Sequence, residues 1–320
     1  MSFIEVKDLK VHYPIRGGFF NKIIDYVYAV DGVSFTIEKG KTYGLVGESG
    51  SGKSTIGKAI IGLEKIKSGK IIYEGREIDR KFRNRRSEYN RNVQMIFQDS
   101  LSSLNPKKRV IDLISEPLRN FENLTLDEEK RKVSELLEIV GMNREDIFKY
   151  PHEFSGGQRQ RLGIARAVAT KPKLIIADEP VSALDLSVQA QVLNYMKDIQ
   201  EQFGLSYLFI SHDLGVVKHM CDYMFIMYHG RFVETGEKND IYKNPEHFYT
   251  KRLIAAIPEI HPEKRTENKR RRLEIEREYL ANEKKYYDEN GRVFDLKKLT
   301  DTHFVAIKDE IMQNNGKGGK

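Results

Sequence analysis

The sequence predicts an α/β fold in which a largely parallel sheet is covered by helices on both faces. Two continuously apolar segments, KLIIADEP and SYLFISHD, alternate with helical stretches, a pattern typical of parallel strands that are buried on both sides. A third apolar segment runs directly into the glycine loop of TYGLVGESGSGKS. MFIMYHGRFVETG then predicts an antiparallel hairpin that turns at His229 and Gly230.

The glycine loop GESGSGKST matches the phosphate-binding pattern known as a P-loop. Its glycines let backbone N–H groups turn inward around phosphate oxygens, Lys53 adds a positive charge, and Ser54 can ligate Mg²⁺. The alternative is a chance glycine loop, but the apolar strand before it and the helical pattern after it favour nucleotide binding. The predicted nucleotide-binding residues are Gly47, Glu48, Ser49, Gly50, Ser51, Gly52, Lys53, Ser54 and Thr55.

Two helices are predicted next. STIGKAIIGL places Ile56, Ile60 and Leu63 at helical spacing, so that bound phosphate would lie at a helix N-terminus. TLDEEKRKVSELLEIVGM begins after Thr125, ends at Gly141, and places one face of apolar residues together: Val133, Leu136, Leu137 and Val140.

Polar side chains follow several predicted strands at the sheet edge where ligands of open α/β folds bind. LIIADE ends in Asp178, predicted to hold the hydration shell of Mg²⁺, and in Glu179, predicted to polarise the water that attacks the γ-phosphate. His212 and Gln98 follow two other apolar segments and are predicted to reach the same edge. The alternative is structural, with the carboxylates capping the next turn and His212 satisfied within the fold.

A second candidate phosphate site is SGGQ, formed by Ser155, Gly156, Gly157 and Gln158. These residues begin a predicted helix, whose free N–H groups and dipole would point at an anion. Nothing in the sequence folds this loop back onto Lys53. One physical solution is a dimer in which each SGGQ loop closes over the nucleotide held by the partner's P-loop.

Charge and cysteine content narrow the function classes. The net charge is +7, but the chain from Pro258 onward holds 15 Lys/Arg against 13 Asp/Glu, which argues against a nucleic-acid partner. The cluster Lys269 to Arg272 is interpreted as a solvated helix face, with an anionic membrane surface as the alternative. Cys221 is the only cysteine, so no disulfide is expected, and without a signal segment or an 18-residue apolar run a cytosolic setting is expected.

The last part of the chain is predicted to hold one helix, around Glu267 to Tyr287, in a stretch of mixed charge. The terminal segment NNGKGGK is too polar and too rich in glycine to be expected to order.

Together these motifs resemble the ATP-binding subunit of ABC transporters, in that family's order across roughly residues 1–235. The six are the P-loop, Gln98, FSGGQ, LIIADE, SALD and His212. The resemblance implies a P-loop ATPase of ABC type, with a mixed sheet core, a helical subdomain at about residues 100–165 and a small antiparallel β part. It also implies a head-to-tail dimer that sandwiches two ATP molecules, Mg²⁺ held by Ser54, Gln98 and Asp178 partly through water, and communication across the dimer by Asp185.

Two positions depart from the usual pattern of that family, one in its spacing and one in its residue type. Tyr13 matches the aromatic residue that stacks on adenine, although RGGFFNKIIDYVY separates it unusually far from the P-loop; a packed tyrosine at a strand end is the alternative. Phe154 stands where the family usually has leucine, and both are apolar, so little effect on activity is expected. Lys53 and Glu179 are both retained, which implies competence for hydrolysis.

A narrower resemblance is to the oligopeptide/dipeptide importers, carried by FQDSLSSLNP and NPEHFYTKRLIAAIP. VHYPI with its long insertion, and KYPHEFSGGQRQR, look more like the second of their two ATPase subunits. This resemblance implies a heterodimer with a second ATPase, two membrane permeases, an extracytoplasmic peptide-binding protein, and a peripheral location at the cytoplasmic face of the membrane. It divides the chain into an ATPase domain, 1–257, and a C-terminal extension, 258–320, and Cys221 alone cannot build an iron–sulfur cluster there.

Alternative functions stay open at this level. Relatives in the same branch move other cargo, such as nickel or oligosaccharides. A soluble ABC-type factor acting on ribosomes or DNA would use the Lys269 to Arg272 cluster, but such factors usually carry two ATPase halves or a long coiled-coil insertion. A regulated scaffold built on the residues after Pro262 is a third possibility.

Overall fold

The computed structural model describes residues 2–18, 20–78, 88–99, 103–257 and 265–308. The strands are β1 (Ser2–Gly17), β2 (Lys22–Glu38), β3 (Thr42–Val46), β4 (Ser68–Tyr73), β5 (Arg76–Glu77), β6 (Val93–Ile96), β7 (Leu174–Asp178), β8 (Ser206–Ser211), β9 (Tyr223–Tyr228), β10 (Arg231–Glu237), β11 (Leu296–Lys298) and β12 (Phe304–Ala306). The helices are α1 (Lys53–Ile60), α2 (Glu88–Asn92), α3 (Val110–Arg119), α4 (Leu126–Ile139), α5 (Gly156–Val168), α6 (Leu186–Phe203), α7 (Leu214–Met220), α8 (Lys238–Lys243), α9 (Phe248–Ala255) and α10 (Arg265–Asn282).

The central sheet is mixed, which confirms the predicted fold class. Within the described residues its order is β11-β12-β10-β9-β3-β8-β7-β6; the strands from β9 to β6 are parallel and the remaining pairs antiparallel. Alternate residues of each parallel strand pack into different hydrophobic clusters: Tyr207 and Phe209 into one, Leu208 and Ile210 into the other. Burial on both faces explains why these strands are continuously apolar.

A second, antiparallel sheet has the order β2-β1-β4-β5. β1 and β2 form a long hairpin in which Tyr13 pairs with Val27. The insertion that separates Tyr13 from the P-loop in sequence is therefore the tip and return strand of this hairpin, so it does not carry Tyr13 away from the loop in space.

The helical segment follows the prediction closely. α4 begins with a capping box, in which Thr125 Oγ1 accepts from the backbone N–H of Glu128 and the Glu128 carboxylate accepts from the backbone N–H of Thr125. Gly141 takes a φ of 67°, which favours glycine and ends the helix. The predicted apolar face is buried at Val133, Leu136, Leu137 and Val140.

Two sequence predictions need correction. Leu63 is not part of the buried face of α1: the helix ends at Ile60, Gly62 takes a φ of 82°, and the Leu63 side chain is 61% exposed. The C-terminal helix, predicted to reach Tyr287, ends at Asn282; Tyr287 instead bridges Val293. The segment NNGKGGK lies outside the described residues.

The C-terminal part of the chain also adds strands that the sequence pattern did not reveal. β12 pairs with β10 through Glu234 and Val305, so the C-terminal residues extend the central sheet. The Lys269 to Arg272 cluster lies on α10 and is exposed, as predicted for a solvated helix face. Among the described residues, no helix combines the length and apolar character needed to cross a membrane.

Candidate active site

The P-loop joins the fully buried strand β3 to α1 in a conformation that requires glycine at two positions. A Cβ atom on Gly47 would lie 2.2 Å from the Met227 carbonyl oxygen, and one on Gly52 would lie 1.9 Å from the Ala29 carbonyl oxygen. Gly52 also takes a φ of 105° as the residue that caps α1. The backbone can therefore curl tightly ahead of the helix N-terminus, as a phosphate cradle must.

The loop encloses a cavity of about 520 Å³. It is lined by Ala29, Gly47, Glu48, Ser49, Gly50, Gly52, Lys53, Ser54, Thr55, Gln98, Glu179, His212 and Leu253. Most of the predicted P-loop residues and all three predicted catalytic side chains thus meet at one cavity.

Lys53 is buried and its ammonium is held by neutral oxygens. Nζ donates to the Glu48 carbonyl oxygen at 2.7 Å and to Ser51 Oγ at 3.3 Å. Burial lowers the pKa of Lys53, and the negative charges of Glu179 and Asp178 oppose that shift. A buried ammonium with neutral partners is well placed to bind an anionic phosphate.

Ser54 and Asp178 form the oxygen pair predicted to hold Mg²⁺. Ser54 Oγ donates to Asp178 Oδ1 at 2.7 Å, and burial raises the pKa of Asp178 while this hydrogen bond lowers it. Hydroxyl and carboxylate oxygens suit Mg²⁺, which is commonly held by one or two protein ligands together with substrate phosphates. Among the described residues, no group of three or more His, Cys, Asp and Glu side chains could hold a metal ion.

Glu179 has its carboxylate fixed at both oxygens. Gln98 Nε2 donates to Oε2 at 2.8 Å, and His212 Nδ1 lies 3.0 Å from Oε1. The backbone is unusual, with a φ of 47°, and its N–H donates to the Ile210 carbonyl oxygen at 2.9 Å. Strained backbone at a non-glycine residue is concentrated at functional sites, and here it places the carboxylate at the cavity.

Tyr13 lies beside the P-loop, not at the wall of the cavity itself. Burial raises the pKa of Tyr13, the neighbouring Thr55 and Glu64 side chains also influence that pKa, and the residue is 37% exposed. An exposed aromatic ring next to the P-loop is compatible with adenine stacking, which stays a prediction.

The SGGQ loop does not reach this cavity within the described part of the chain. Ser155 caps α5 in a capping box with Gln158, and Gly156 is exposed, with open space where a Cβ would be. Asp185 caps α6 and accepts from Ser187 Oγ at 2.6 Å and from the backbone N–H of Val188 at 3.0 Å, and these two hydrogen bonds lower its pKa. The chain thus presents a second helix N-terminus to solvent, away from its own P-loop.

Three residues at the site were not predicted from the sequence. Ala29 and Leu253 line the cavity, and the Tyr249 hydroxyl accepts a hydrogen bond from the backbone N–H of Glu48 at 2.8 Å. Tyr249 and Leu253 lie within NPEHFYTKRLIAAIP, which the sequence supplied only as a family marker. Ala29 has no functional group and belongs to no motif, so nothing in the sequence placed it at the site.

Comparison with known families gives two matches along the chain. The ABC transporter model matches residues 30–182, and the model for the C-terminal region of oligopeptide/dipeptide transporters matches residues 233–289. The second match contains Tyr249 and Leu253.

Two similar proteins are named as ATP-binding proteins of peptide transport. The chain is 56% identical to the oligopeptide transport ATP-binding protein OppF of Lactococcus lactis subsp. lactis (strain IL1403), over 96% of both chains. It is 45% identical to the dipeptide transport ATP-binding protein DppF of Escherichia coli (strain K12), over 82% of this chain and 79% of the relative.

Solved structures agree on the fold. A dimeric, post-hydrolysis state of the ATP-binding cassette MJ0796, bound to ADP and Pi, matches with a TM-score of 0.65 at 24% identity, over 73% of this chain and 98% of that one. CbiO1 of Clostridium perfringens, part of an ABC transporter complex, matches with a TM-score of 0.64 at 25% identity, over 79% and 95%.

Proposed function

This chain belongs to the ABC transporter family as an ATP-binding subunit, and we propose that it hydrolyses ATP to power an oligopeptide or dipeptide importer. The main observation in favour of ATP hydrolysis is the Glu179 carboxylate, which Gln98 and His212 hold at the cavity beside the P-loop. The match to the oligopeptide/dipeptide C-terminal region and the names of the relatives support peptide as the cargo.

The geometry supports a role for each catalytic residue. Lys53 exchanges its neutral oxygen partners for the β- and γ-phosphates, since a charge-assisted hydrogen bond to phosphate is stronger. Ser54, Asp178 and Gln98 supply oxygens for Mg²⁺, which when bound neutralises charge on the phosphates. Glu179 takes a proton from the attacking water, and His212 fixes the carboxylate and contacts the γ-phosphate.

The exposed SGGQ loop supports a nucleotide-sandwich dimer. The free N–H groups of a helix N-terminus bind anions, yet the first residues of α5 do not line the chain's own cavity. We assign them to the γ-phosphate held by a second, different ATPase subunit, with Asp185 near the same interface.

A groove beside Gln98 supports docking on a permease. It has a volume of about 510 Å³ and is lined by side chains that include Leu63, Phe97, Phe121 and Arg166. Leu63 is 61% exposed, and Phe97 precedes the residue that holds Glu179. A permease segment seated there at the cytoplasmic face of the membrane would sense movement of Gln98, and an extracytoplasmic binding protein would deliver the peptide.

Gly156→Asp tests the sandwich dimer. We expect an unchanged melting temperature and normal ATP binding at the chain's own P-loop, because the Cβ meets open space and an acid at a helix N-terminus is favourable. The same carboxylate would repel the partner's γ-phosphate, so ATP-driven assembly and turnover of the complex should be lost. Light scattering with ATP and a steady-state ATPase assay measure both, and normal turnover would contradict the role given to SGGQ.

The importer assignment is tested by purifying tagged Glu179→Gln protein from detergent-solubilised membranes with ATP present. We expect a second ATPase and two permease chains to co-purify, because ATP held without turnover keeps the dimer closed. Peptide-stimulated ATPase activity of the wild-type complex in liposomes with its binding protein would then identify the cargo class. Stimulation of ATPase activity by nickel or an oligosaccharide would show that the cargo is not a peptide. Recovery of ribosomal or nucleic-acid components without membrane proteins would overturn the importer assignment.

A further inference from the structure

Helix α9 lies in the segment that matches the C-terminal region of oligopeptide/dipeptide transporters, residues 233–289, and brings that region to the wall of the nucleotide cavity. The buried Tyr249 side chain places its hydroxyl 2.8 Å from the backbone N of Glu48, the second residue of the P-loop, and Leu253 lines the cavity itself. The contact joins residues 201 positions apart in sequence. The segment NPEHFYTKRLIAAIP is therefore part of the nucleotide site as well as a marker of its family.

The Tyr249 hydroxyl and the Lys53 ammonium restrain the two peptide groups on either side of the Glu48 Cα. Lys53 Nζ donates to the carbonyl oxygen of Glu48 from inside the cradle, while Tyr249 accepts from its N–H. A partly buried N–H without an acceptor costs free energy, so the hydroxyl favours this one orientation of the Glu48 backbone. The turn that aims the following N–H groups at phosphate begins from that orientation.

Tyr249 is held rigidly by aromatic neighbours. Its ring centroid lies 4.6 Å from that of Tyr228, which in turn lies 5.8 Å from that of Tyr287. Tyr228 ends β9, and in the turn that follows Gly230 donates its backbone N–H to the Ser51 carbonyl oxygen at 3.0 Å. The same packed unit thus contacts the P-loop at two points.

A buried carboxylate anchors the start of α9. Glu234 is fully buried and accepts from the backbone N–H groups of Glu246 and His247 at 2.8 and 3.0 Å. His303 Nε2 lies 2.7 Å from Glu234 Oε1, and this carboxylate raises the pKa of the imidazole. Residues next to β12 are therefore linked through Glu234 to the helix that carries Tyr249.

We propose that Tyr249 is a positioning residue for ATP binding, which lets the C-terminal region fix the P-loop in its phosphate-binding shape. The proposal rests on the proposed function, because it requires that this P-loop binds ATP. It assigns to the peptide-importer type of C-terminal region a direct role in the nucleotide site of its own chain. Tyr249 acts through the backbone N–H of Glu48, and Leu253 contributes an apolar side chain to the cavity wall.

Tyr249→Phe removes only the hydroxyl. We expect the Kd of the full-length chain for Mg-ATP to rise by about three- to tenfold, the effect of losing one neutral hydrogen bond. In the assembled transporter KM should rise by a similar factor with kcat nearly unchanged, because Gln98, Glu179 and His212 are untouched. The matched control is Tyr207→Phe, which also removes a buried hydroxyl, one that donates to the Met196 carbonyl oxygen at 3.1 Å within the core.

Tyr207→Phe should lower the melting temperature about as much as Tyr249→Phe does. Its Kd for Mg-ATP should stay at the wild-type value. Wild-type affinity in Tyr249→Phe would overturn the proposal, as would an equal loss of affinity in Tyr207→Phe, which would indicate general destabilisation. A wild-type chain that fails to bind Mg-ATP would overturn the proposed function as well, and so would be distinguished from failure of this proposal alone.

Discussion

Glu179→Gln is expected to lower kcat for ATP hydrolysis by roughly 10²–10⁴-fold, the usual contribution of a general base, without weakening ATP binding. An amide keeps the size of the carboxylate and can still accept from Gln98 Nε2, so the geometry of the site should survive. It cannot take a proton from water. Removing one negative charge next to Lys53 also leaves that ammonium freer to bind phosphate.

Single-turnover hydrolysis and nucleotide titration on the same preparation measure the two quantities separately. Glu77→Gln is a suitable control, because Glu77 is an exposed carboxylate on β5 that pairs with Lys70 at 3.1 Å; it should change neither quantity. Turnover at the wild-type rate in Glu179→Gln would contradict the assignment of Glu179 as the general base. His212 would then be the next residue to test.

The juxtaposition of side chains at the site could be predicted because it depends on local patterns and on one topological rule. Gln98, Glu179 and His212 follow apolar strands, which deliver these side chains to one edge if the strands are parallel, and the structure places all three at one cavity. The start of α4 after Thr125 was predicted from such a local pattern, and its capping box joins residues only three positions apart. Spacing along the chain was enough in both cases.

Features that depend on distant contacts could not be predicted. Leu63 has the helical period, but the φ of 82° at Gly62 stops the helix first and leaves the side chain in a groove. β11 and β12 have three residues each, too few for a periodic signal, and exist through pairing with β10. The partner that we propose for the SGGQ loop belongs to a second chain, which no pattern within this one can locate.

Lys53→Ala is expected to weaken ATP binding by about ten- to a hundredfold, the effect of losing a hydrogen bond between charged groups. The ammonium is buried and burial lowers its pKa, so in the absence of nucleotide its charge is poorly solvated. The phosphates supply the counter-charge that the Glu48 carbonyl oxygen and Ser51 Oγ do not. Binding affinity should therefore depend more on this side chain than on the others that line the cavity.

Equilibrium titration with Mg-ATP tests this expectation, with Lys41→Ala as the control, because Lys41 is an exposed lysine paired with Glu38 outside the site. Folding should persist in Lys53→Ala, since the change removes a buried charge together with its two hydrogen bonds, and circular dichroism checks that point. A folded variant that binds Mg-ATP as tightly as wild type would refute the P-loop assignment. Loss of binding in Lys53→Ala beside loss of turnover alone in Glu179→Gln would separate the residue that holds the phosphates from the residue that activates water.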